Sequence, residues 1–387
     1  MNTDVLLNRL SVKDGRLVLP GGTSYKALVI PDDIDRLTLP VVRQIRDLVD
    51  AGAIVIGPRP GKSPSLTGYP NADDEIRAIA NDVWGPVDGK SITEHRYGKG
   101  KVCWRKSIAE VLAGAKTPAD FAYNRPSLDT KLVWIHRNST DADLYFVANQ
   151  RPHPDNVLAS FRVEGKEAEL WHPDTGEIEQ AEYNIENGRP NVPLHLDPDG
   201  SVFVVFRHVA TAPLRTLPQP VSTAVGTLRG TWSLSFPANW GAPPQTKLEI
   251  LSSWTNSSDP GVKYFSGTAI YTKEIDAAAA WFREGAKIVL DLGNVKEIAE
   301  LNVNGKPVGG ILWKPPFRAD VTSALKPGTN HIEIKVTNLW PNRLIGDAQP
   351  DAKTKYTFTD FPFYKASSPL MESGLLGPVS LISVEMQ

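Results

Sequence analysis

Near its end the chain reads NLWPNRLIGD, residues 338–347, just after HIEIKV, a strand pattern. A strand end needs only a turn, and Pro341-Asn342 supplies one. Trp340, Arg343 and Asp347 are what a turn does not require. A flat indole covers the C–H face of a sugar ring, and amide or charged groups bond its vicinal hydroxyls, so these residue types together suit saccharide recognition. The same types recur upstream, with Trp254, Lys263 and Tyr264 around the loop in SSWTNSSDPGVKYF and Trp313 after a hairpin. The candidate saccharide-binding set is therefore Trp254, Lys263, Tyr264, Trp313, Trp340, Asn342, Arg343 and Asp347. Locally, Arg343 and Asp347 equally suit a plain ion pair across the loop.

Other chemistries find less support. GPRPGKS (57–63) follows a strand and has the outline of a phosphate loop, but only three residues separate its glycines and two of them are Pro, which has no N–H to offer. No G-x-S-x-G elbow is present, and no two of the seven His stand at metal-ligand spacing. His136, in WIHRN, reads as a core or edge histidine. Lone Cys103 lies inside a strand pattern. Glycoside hydrolysis needs two carboxylates facing each other across a sugar. Glu249, Asp259, Asp347 and Glu372 are candidates, each of a kind that also serves as a surface or turn charge.

The elements that must position these groups fall into stretches of different rule. Over residues 1–125, strand and helix signals alternate. YKALVIP (25–31) and AIVIG (53–57) are buried-type strands. LPVVRQIRDLVDAG (39–52) places Val41, Val42, Ile45, Leu48 and Val49 at helical spacing, with Gly52 as the stop. NADDEIRAIANDVWG (71–85) is a second amphipathic helix, capped by Asn71 or Asp73. GKGKVCWRK then reads as a strand and SIAEVLAG as a short helix. This order predicts parallel pairing in a small flavodoxin-like or amidotransferase-like α/β domain.

From 126 to 212 only short strands follow: LVWIHRN, DLYFVANQ, NVLASFRV, EAELWHP, EIEQAEYNI and SVFVVFRH, separated by turns such as HPDTGE and DPDGS, a small antiparallel β domain. Residues 213–224, rich in Pro and Thr, read as a linker. Residues 225–387 hold GTWSLSFP, AIYTKEI, KIVLDLG, IAELNVNG, HIEIKVTN and PVSLISVEM, whose spacing fits a jelly-roll β-sandwich. Within it, AAAAWFREGA is a short helix or a loop turn. Asn304-Gly305 is a type I′-like hairpin turn, and Phe317, Arg318 and Asp320 form a tie at one end. The fold class is thus multi-domain and mainly β.

Composition narrows the function classes. The chain has 387 residues, 41% hydrophobic and 22% charged, with a net charge of −2. That is enough for real cores but offers no general basic face for nucleic acid. No run of about 18 apolar residues is present to span a membrane. Asp4, Arg9 and Lys13 interrupt the start, so no signal peptide is expected. One cysteine excludes an internal disulfide.

One stretch carries a family likeness. VNGKPVGG…PPFRADVTSALKPGTNHIEIKVTN resembles the sugar-binding, galactose-binding-like β-sandwich of family 2 glycoside hydrolases. In order along the chain, YKALVIP, LVDAGAIVIGPRP, SVFVVFR, VKYFSGTAIY, LDLGNVKEIAELNVNGK, TNLWPNRLIGD and SGLLGPV resemble the C-terminal half of family 106 glycoside hydrolases, the α-L-rhamnosidases. The resemblance runs from residue 24 to 384.

It implies a rhamnose-containing oligosaccharide or glycoside as ligand, and places whole family members in the periplasm or outside the cell. It also implies an N-terminal (β/α)₈ barrel that holds the catalytic carboxylates. Such a barrel needs ~250 residues of strand–helix alternation, and here the alternation stops near residue 125, so no catalytic residue carries over. The expectation is a partial family member: an internal-start product, half of a split enzyme, or an excised piece. Three readings follow: an accessory, carbohydrate-binding portion; a compact active glycosidase using carboxylates of its own; or a non-catalytic subunit docking on a separate catalytic barrel. No cofactor is read from the residues, and no EF-type loop is visible. Calcium enters only by family analogy.

Overall fold

The computed structural model describes residues 1–387. The chain is mainly β and multi-domain, and divides into two compact units, Met1–Ala122 and Tyr123–Gln387.

In the first unit, strands Leu28–Val29, Ile54–Ile56 and Gly100–Cys103 pair in parallel, and Glu94–Tyr97 adds antiparallel to the edge. The helix Leu39–Ala51 buries Val41, Val42, Ile45, Leu48 and Val49, the five residues its periodicity marks, and ends at Gly52 with φ 122°. Each such side chain contributes about 1.5–3 kcal/mol when fully buried. The helix Asn71–Trp84 departs from expectation at its start. Pro70 occupies the cap position with no side-chain cap bond. Asp73 instead accepts from the backbone N–H of Ser63 at 2.9 Å, so its carboxylate ties down the preceding loop. Ser107 and Glu110 form a full capping box on the helix Ile108–Gly114. GPRPGKS is a loop. Its Arg59 donates to the carbonyl of Val87 at 2.9 Å, and the indole of Trp84 donates to Gly57 at 3.1 Å.

The second unit is almost wholly antiparallel. One sheet runs in the order Ile178–Gln180, Glu169–Trp171, Ser201–Phe206, Asp143–Asn149, Leu132–Asn138. A second contains Leu214–Arg215, Tyr183–Glu186, Arg189–Leu196 and Asp155–Phe161. Buried rings fill this part, with Phe161 4.9 Å from Tyr145 and 5.1 Å from Phe206. EIEQAEYNI is two strands, Ile178–Gln180 and Tyr183–Glu186. RPNVPLHL is also a strand, although its prolines argue against one. Val192, Leu194 and Leu196 alternate inward and are buried, and that burial outweighs the donors lost at Pro190 and Pro193.

Residues 213–224 are not a free linker. Leu214–Arg215 pairs with Tyr183–Asn184, and Pro220–Thr227 pairs along the last strand, Ser380–Met386. The Pro and Thr content that suggests a linker also suits an exposed edge strand, and Pro220–Thr227 is exposed along nearly all its length.

The rest of this unit is two larger antiparallel sheets around one core and a short antiparallel pair, Asn294–Lys296 with Gly374–Gly377. The first is Pro220–Thr227, Ser380–Met386, Lys287–Asp291, Arg318–Asp320. The second is Gln245–Leu248, Trp232–Ser235, Thr268–Ala277, Gly328–Thr337, Ile298–Val303, Lys306–Leu312. Asn304 and Gly305, with φ of 53° and 82°, make the predicted hairpin turn between Val303 and Lys306. Ala279–Trp281 is one turn of 3₁₀ helix. Arg318 does not pair with Asp320; it meets Asp291 at 2.8 Å on the adjacent strand.

The core holds Trp232, Phe236, Trp254, Phe265 and Tyr271. The Tyr271 hydroxyl accepts from Trp254 Nε1 at 2.6 Å and from the Leu375 N–H at 2.9 Å. Burial pushes its pKa well above the phenol range. Gly374, with φ 94°, lies flat against Trp254, where an added Cβ would come within 2.5 Å of Nε1. Tyr271→Phe strands two buried donors at about 1–3 kcal/mol each. The expected loss is on the order of 2–6 kcal/mol, measured by urea denaturation. An unchanged midpoint would show that the two donors find other acceptors.

Candidate functional site

NLWPNRLIGD is neither a bare corner nor an open binding surface. Pro341–Asp347 is a seven-residue helix, with Pro in its first turn where a missing N–H costs nothing. Its polar side chains point inward: Asn342, Arg343 and Asp347 are 2%, 5% and 6% exposed. Charges at that depth must be matched by partners.

Arg343 Nε and Asp347 Oδ1 lie 2.9 Å apart, off the N–H direction, so the pair is held by charge rather than by a hydrogen bond. The Arg343 guanidinium stacks over Tyr356, 4.9 Å from the ring centroid. The other Asp347 oxygen accepts from the N–H groups of Tyr356 and Thr357 at 2.8 and 2.7 Å, and from the Thr357 hydroxyl at 2.7 Å. Asn342 donates to the carbonyl of Met371 at 2.7 Å and accepts from its N–H at 2.9 Å. Gln349, just past the helix, donates to Ala366 at 3.0 Å. The helix thus grips both arms of the following loop, near residues 356 and 371.

A second clamp seats the helix itself. Ser266 Oγ donates to the carbonyl of Leu339 at 2.9 Å and accepts from the Arg343 N–H at 3.1 Å. Asn338 donates to the carbonyl of Phe265 and accepts from the Gly267 N–H, both at 2.9 Å. Gly346 has no room for a side chain. An added Cβ would lie 2.5 Å from both Arg343 Nη2 and Tyr264 Cβ.

The gripped loop carries YTFTDFPFYK, residues 356–365, with five aromatic residues. Tyr356 packs inward on Gly241 and Arg343. Phe358, Phe361 and Phe363 face solvent at 92%, 72% and 71% exposure. Phe363 meets Tyr364 edge-on at 5.1 Å, and Thr359 bonds both the carbonyl and the N–H of Phe361. Three solvent-facing phenyl rings thus stand on an anchored loop.

The predicted set therefore separates. Trp340, half exposed, meets Trp240 edge-to-face at 5.8 Å, and Tyr264 packs on Gly346 with the Lys263 amine 5.6 Å from its ring centroid. These three remain accessible beside the helix. Asn342, Arg343 and Asp347 belong to the same place but spend their polar atoms on the loop. Trp254 is core, 1% exposed and stacked on Tyr271, because an indole between sheets buries more apolar area than one in a loop. Trp313, well exposed, stands elsewhere, next to Lys314. The sequence reading missed Trp240, Tyr356, Phe358, Phe361 and Phe363. The density of aromatics in 356–365 was the signal available for four of them.

The other candidates resolve as structural groups. Asp259 caps a short helix through the Gly261 N–H at 2.7 Å, Glu249 accepts from the Thr231 hydroxyl at 2.7 Å, and Glu372 meets Lys296 at 3.6 Å. His136 stacks on Tyr145 at 4.0 Å, and its Nε2 lies 3.1 Å from Asp143. Cys103 is buried, and burial followed by Glu94 pushes its thiol up, away from a reactive thiolate. No three His, Cys, Asp or Glu side chains are grouped so that they could share a metal ion. No helix is long and apolar enough to cross a membrane.

Comparison with known proteins extends these observations. The family model for glycoside hydrolase family 106, alpha-L-rhamnosidase, matches residues 1–185. The solved rhamnosidase from Novosphingobium sp. PP1Y superposes with a TM-score of 0.83 at 39% identity, over 99% of this chain and 36% of that one. A curated relative from Formosa agariphila, named "Putative beta-glucuronidase", is 24% identical over 97% of this chain and 52% of its own length. The chain thus spans about half the length of that curated relative and about a third of the rhamnosidase.

Asp347→Ala removes the counter-charge of a buried arginine and three bonds to the loop. Breaking such a pair costs about 3–5 kcal/mol. The expected readout is faster tryptic cleavage at Lys353, Lys355 and Lys365 and loss of hydrogen-exchange protection at Tyr356 and Thr357. Wild-type protection in the variant would show that the loop is held without Asp347.

Proposed function

We propose that this chain, family 106 rhamnosidase-like along nearly its whole length, is the accessory and carbohydrate-binding portion of an α-L-rhamnosidase-type glycoside hydrolase, and that the catalytic carboxylates come from polypeptide outside it. The ligand class is a rhamnose-containing oligosaccharide or glycoside. The observation that carries the reading is the match to a rhamnosidase over 99% of this chain but 36% of that one.

The local chemistry supports the same division. Asp259, Glu249 and Glu372 hold a helix cap, a threonine and a lysine, and Asp347 holds a loop. Asp347 in particular is a poor general acid or base, because it is buried and its oxygens already hold the loop and face Arg343. Phe358, Phe361 and Phe363 offer no hydrogen bonds, so they suit an apolar protein surface better than a hydroxyl-rich sugar. In this reading the loop is the seat for the catalytic portion, with Trp340, Lys263 and Tyr264 on the saccharide side of the same helix.

Hydrolysis of an aryl α-L-rhamnoside, followed by nitrophenol release, tests this. The chain alone should give no turnover, and mixing it with the separately produced remainder of a family 106 protein should restore it. Combining Phe358→Ser, Phe361→Ser and Phe363→Ser should raise the concentration needed for half-restoration by about tenfold or more, the equivalent of 1.4 kcal/mol. Robust turnover by the chain alone would overturn the proposal.

A further inference from the structure

A cleft of about 1210 Å³ opens within the second unit, away from the helix and its loop. One wall comes from the strands Asp155–Phe161 and Arg189–Leu196 and from the turn after Glu169–Trp171; the other includes Lys287, Lys314, Val384 and Met386 of the two-sheet core. That volume exceeds the roughly 300–1,000 Å³ usual for a small-molecule pocket, so it has room for more than one sugar ring.

The two walls are fastened to each other. Lys314 Nζ lies 2.9 Å from Asp174 and 3.9 Å from Asp197. Burial alone would raise the Asp174 carboxyl, but the hydrogen bond and charge of Lys314 outweigh it and hold it below the usual carboxylate range.

Its lining is mixed rather than simply acidic. Asp174 and Asp197 engage Lys314, Glu179 meets His172 at 2.9 Å, and Glu182 accepts from the Leu217 N–H at 2.9 Å. Each of these carboxylates keeps lone pairs that accept from hydroxyls. The amides of Asn124, Asn156, Gln180 and Gln219 also line it; the oxygens of Asn124 and Asn156 already meet the Leu158 N–H at 2.7 Å and His195 Nδ1 at 2.6 Å, which leaves their NH₂ groups to donate. Between them lie apolar side chains, Leu158, Pro193, Pro218 and Met386 among them, suited to the C–H faces and methyl group of a deoxysugar. Four carboxylates stand against two ammonium groups and the imidazoles of His172 and His195, a net-acidic lining that disfavours an anionic ligand.

We propose that this cleft is a saccharide-binding site for a neutral oligosaccharide of two or more rings, selecting against uronic-acid sugars. It rests on the functional reading above for the sugar class, and on the cleft for its position and charge preference.

Isothermal titration of the full chain tests it, using a neutral rhamnose-containing oligosaccharide and a matched one bearing a uronic acid. The neutral sugar should bind at least about tenfold more tightly at low salt, a difference of 1.4 kcal/mol. Leu158→Trp, which fills the cleft from a half-exposed strand position, should weaken neutral binding by about tenfold or more, with folding checked by its urea midpoint. Glu179→Lys, at a largely exposed side chain, should shrink the neutral-over-uronic preference. Binding that ignores both substitutions, equal affinity for the two sugars, or no binding up to about 10 mM would each overturn the proposal. Restored hydrolysis on mixing without sugar binding by this chain sinks the cleft alone. Sugar binding with that preference but no restored hydrolysis keeps the cleft and sinks the functional reading.

Discussion

A charge taken out of water has to be answered within a few ångströms, and the Pro341–Asp347 helix is organised around that requirement. Arg343 and Asp347 sit 2.9 Å apart, each nearly inaccessible. Their mutual attraction does not by itself offset the desolvation of two ions. The shortfall is met by the backbone of the following loop: two N–H groups and a hydroxyl on Asp347, and the face of Tyr356 under Arg343. The loop is therefore ordered by the same groups that make the buried pair tolerable. Without the loop the pair would be costly, and without the pair the loop would have no anchor near residue 356.

This coupling explains why a saccharide-type combination of Trp, Asn, Arg and Asp does not make a saccharide site in full. A polar side chain has a fixed number of donors and acceptors, and those of Asn342 and Asp347 go largely to backbone. What reaches solvent is what the helix does not consume: Trp340, Lys263 and Tyr264 beside it and the three phenylalanines on its loop. In the cleft, the polar groups also serve the fold, but carboxylates and amides there keep capacity for hydroxyls. The two surfaces are thus chemically distinct, one apolar and anchored, the other wet and net acidic.

Much of the architecture is legible in the sequence. Helices show best, since a 3.6-residue repeat names its own buried face, as Val41, Val42, Ile45, Leu48 and Val49 do. Strands with clean alternation, such as HIEIKV, show equally well. Among the strands that escaped notice are two in which Pro or exposure masks the alternation: Arg189–Leu196, with Pro190 and Pro193, and Pro220–Thr227, exposed along an edge. For such segments the deciding contribution is the neighbouring strand, however far away in sequence, as Ser380–Met386 is for Pro220–Thr227.

The sequence by itself determined the class of the protein: a mainly β, multi-domain chain, opened by a strand–helix region and closed by antiparallel strands, with the ordered motifs of a family 106 rhamnosidase. It also determined which residue types were present to act. Only the tertiary structure decided what each was free to do. Side-chain type sets hydrogen-bonding and stacking capacity, while burial and partners set how much of that capacity is left over. Trp254 and Trp340 are the same residue type, yet one is locked against Tyr271 in the core and the other stands half in water, because one lies between two sheets and the other caps a helix at their edge.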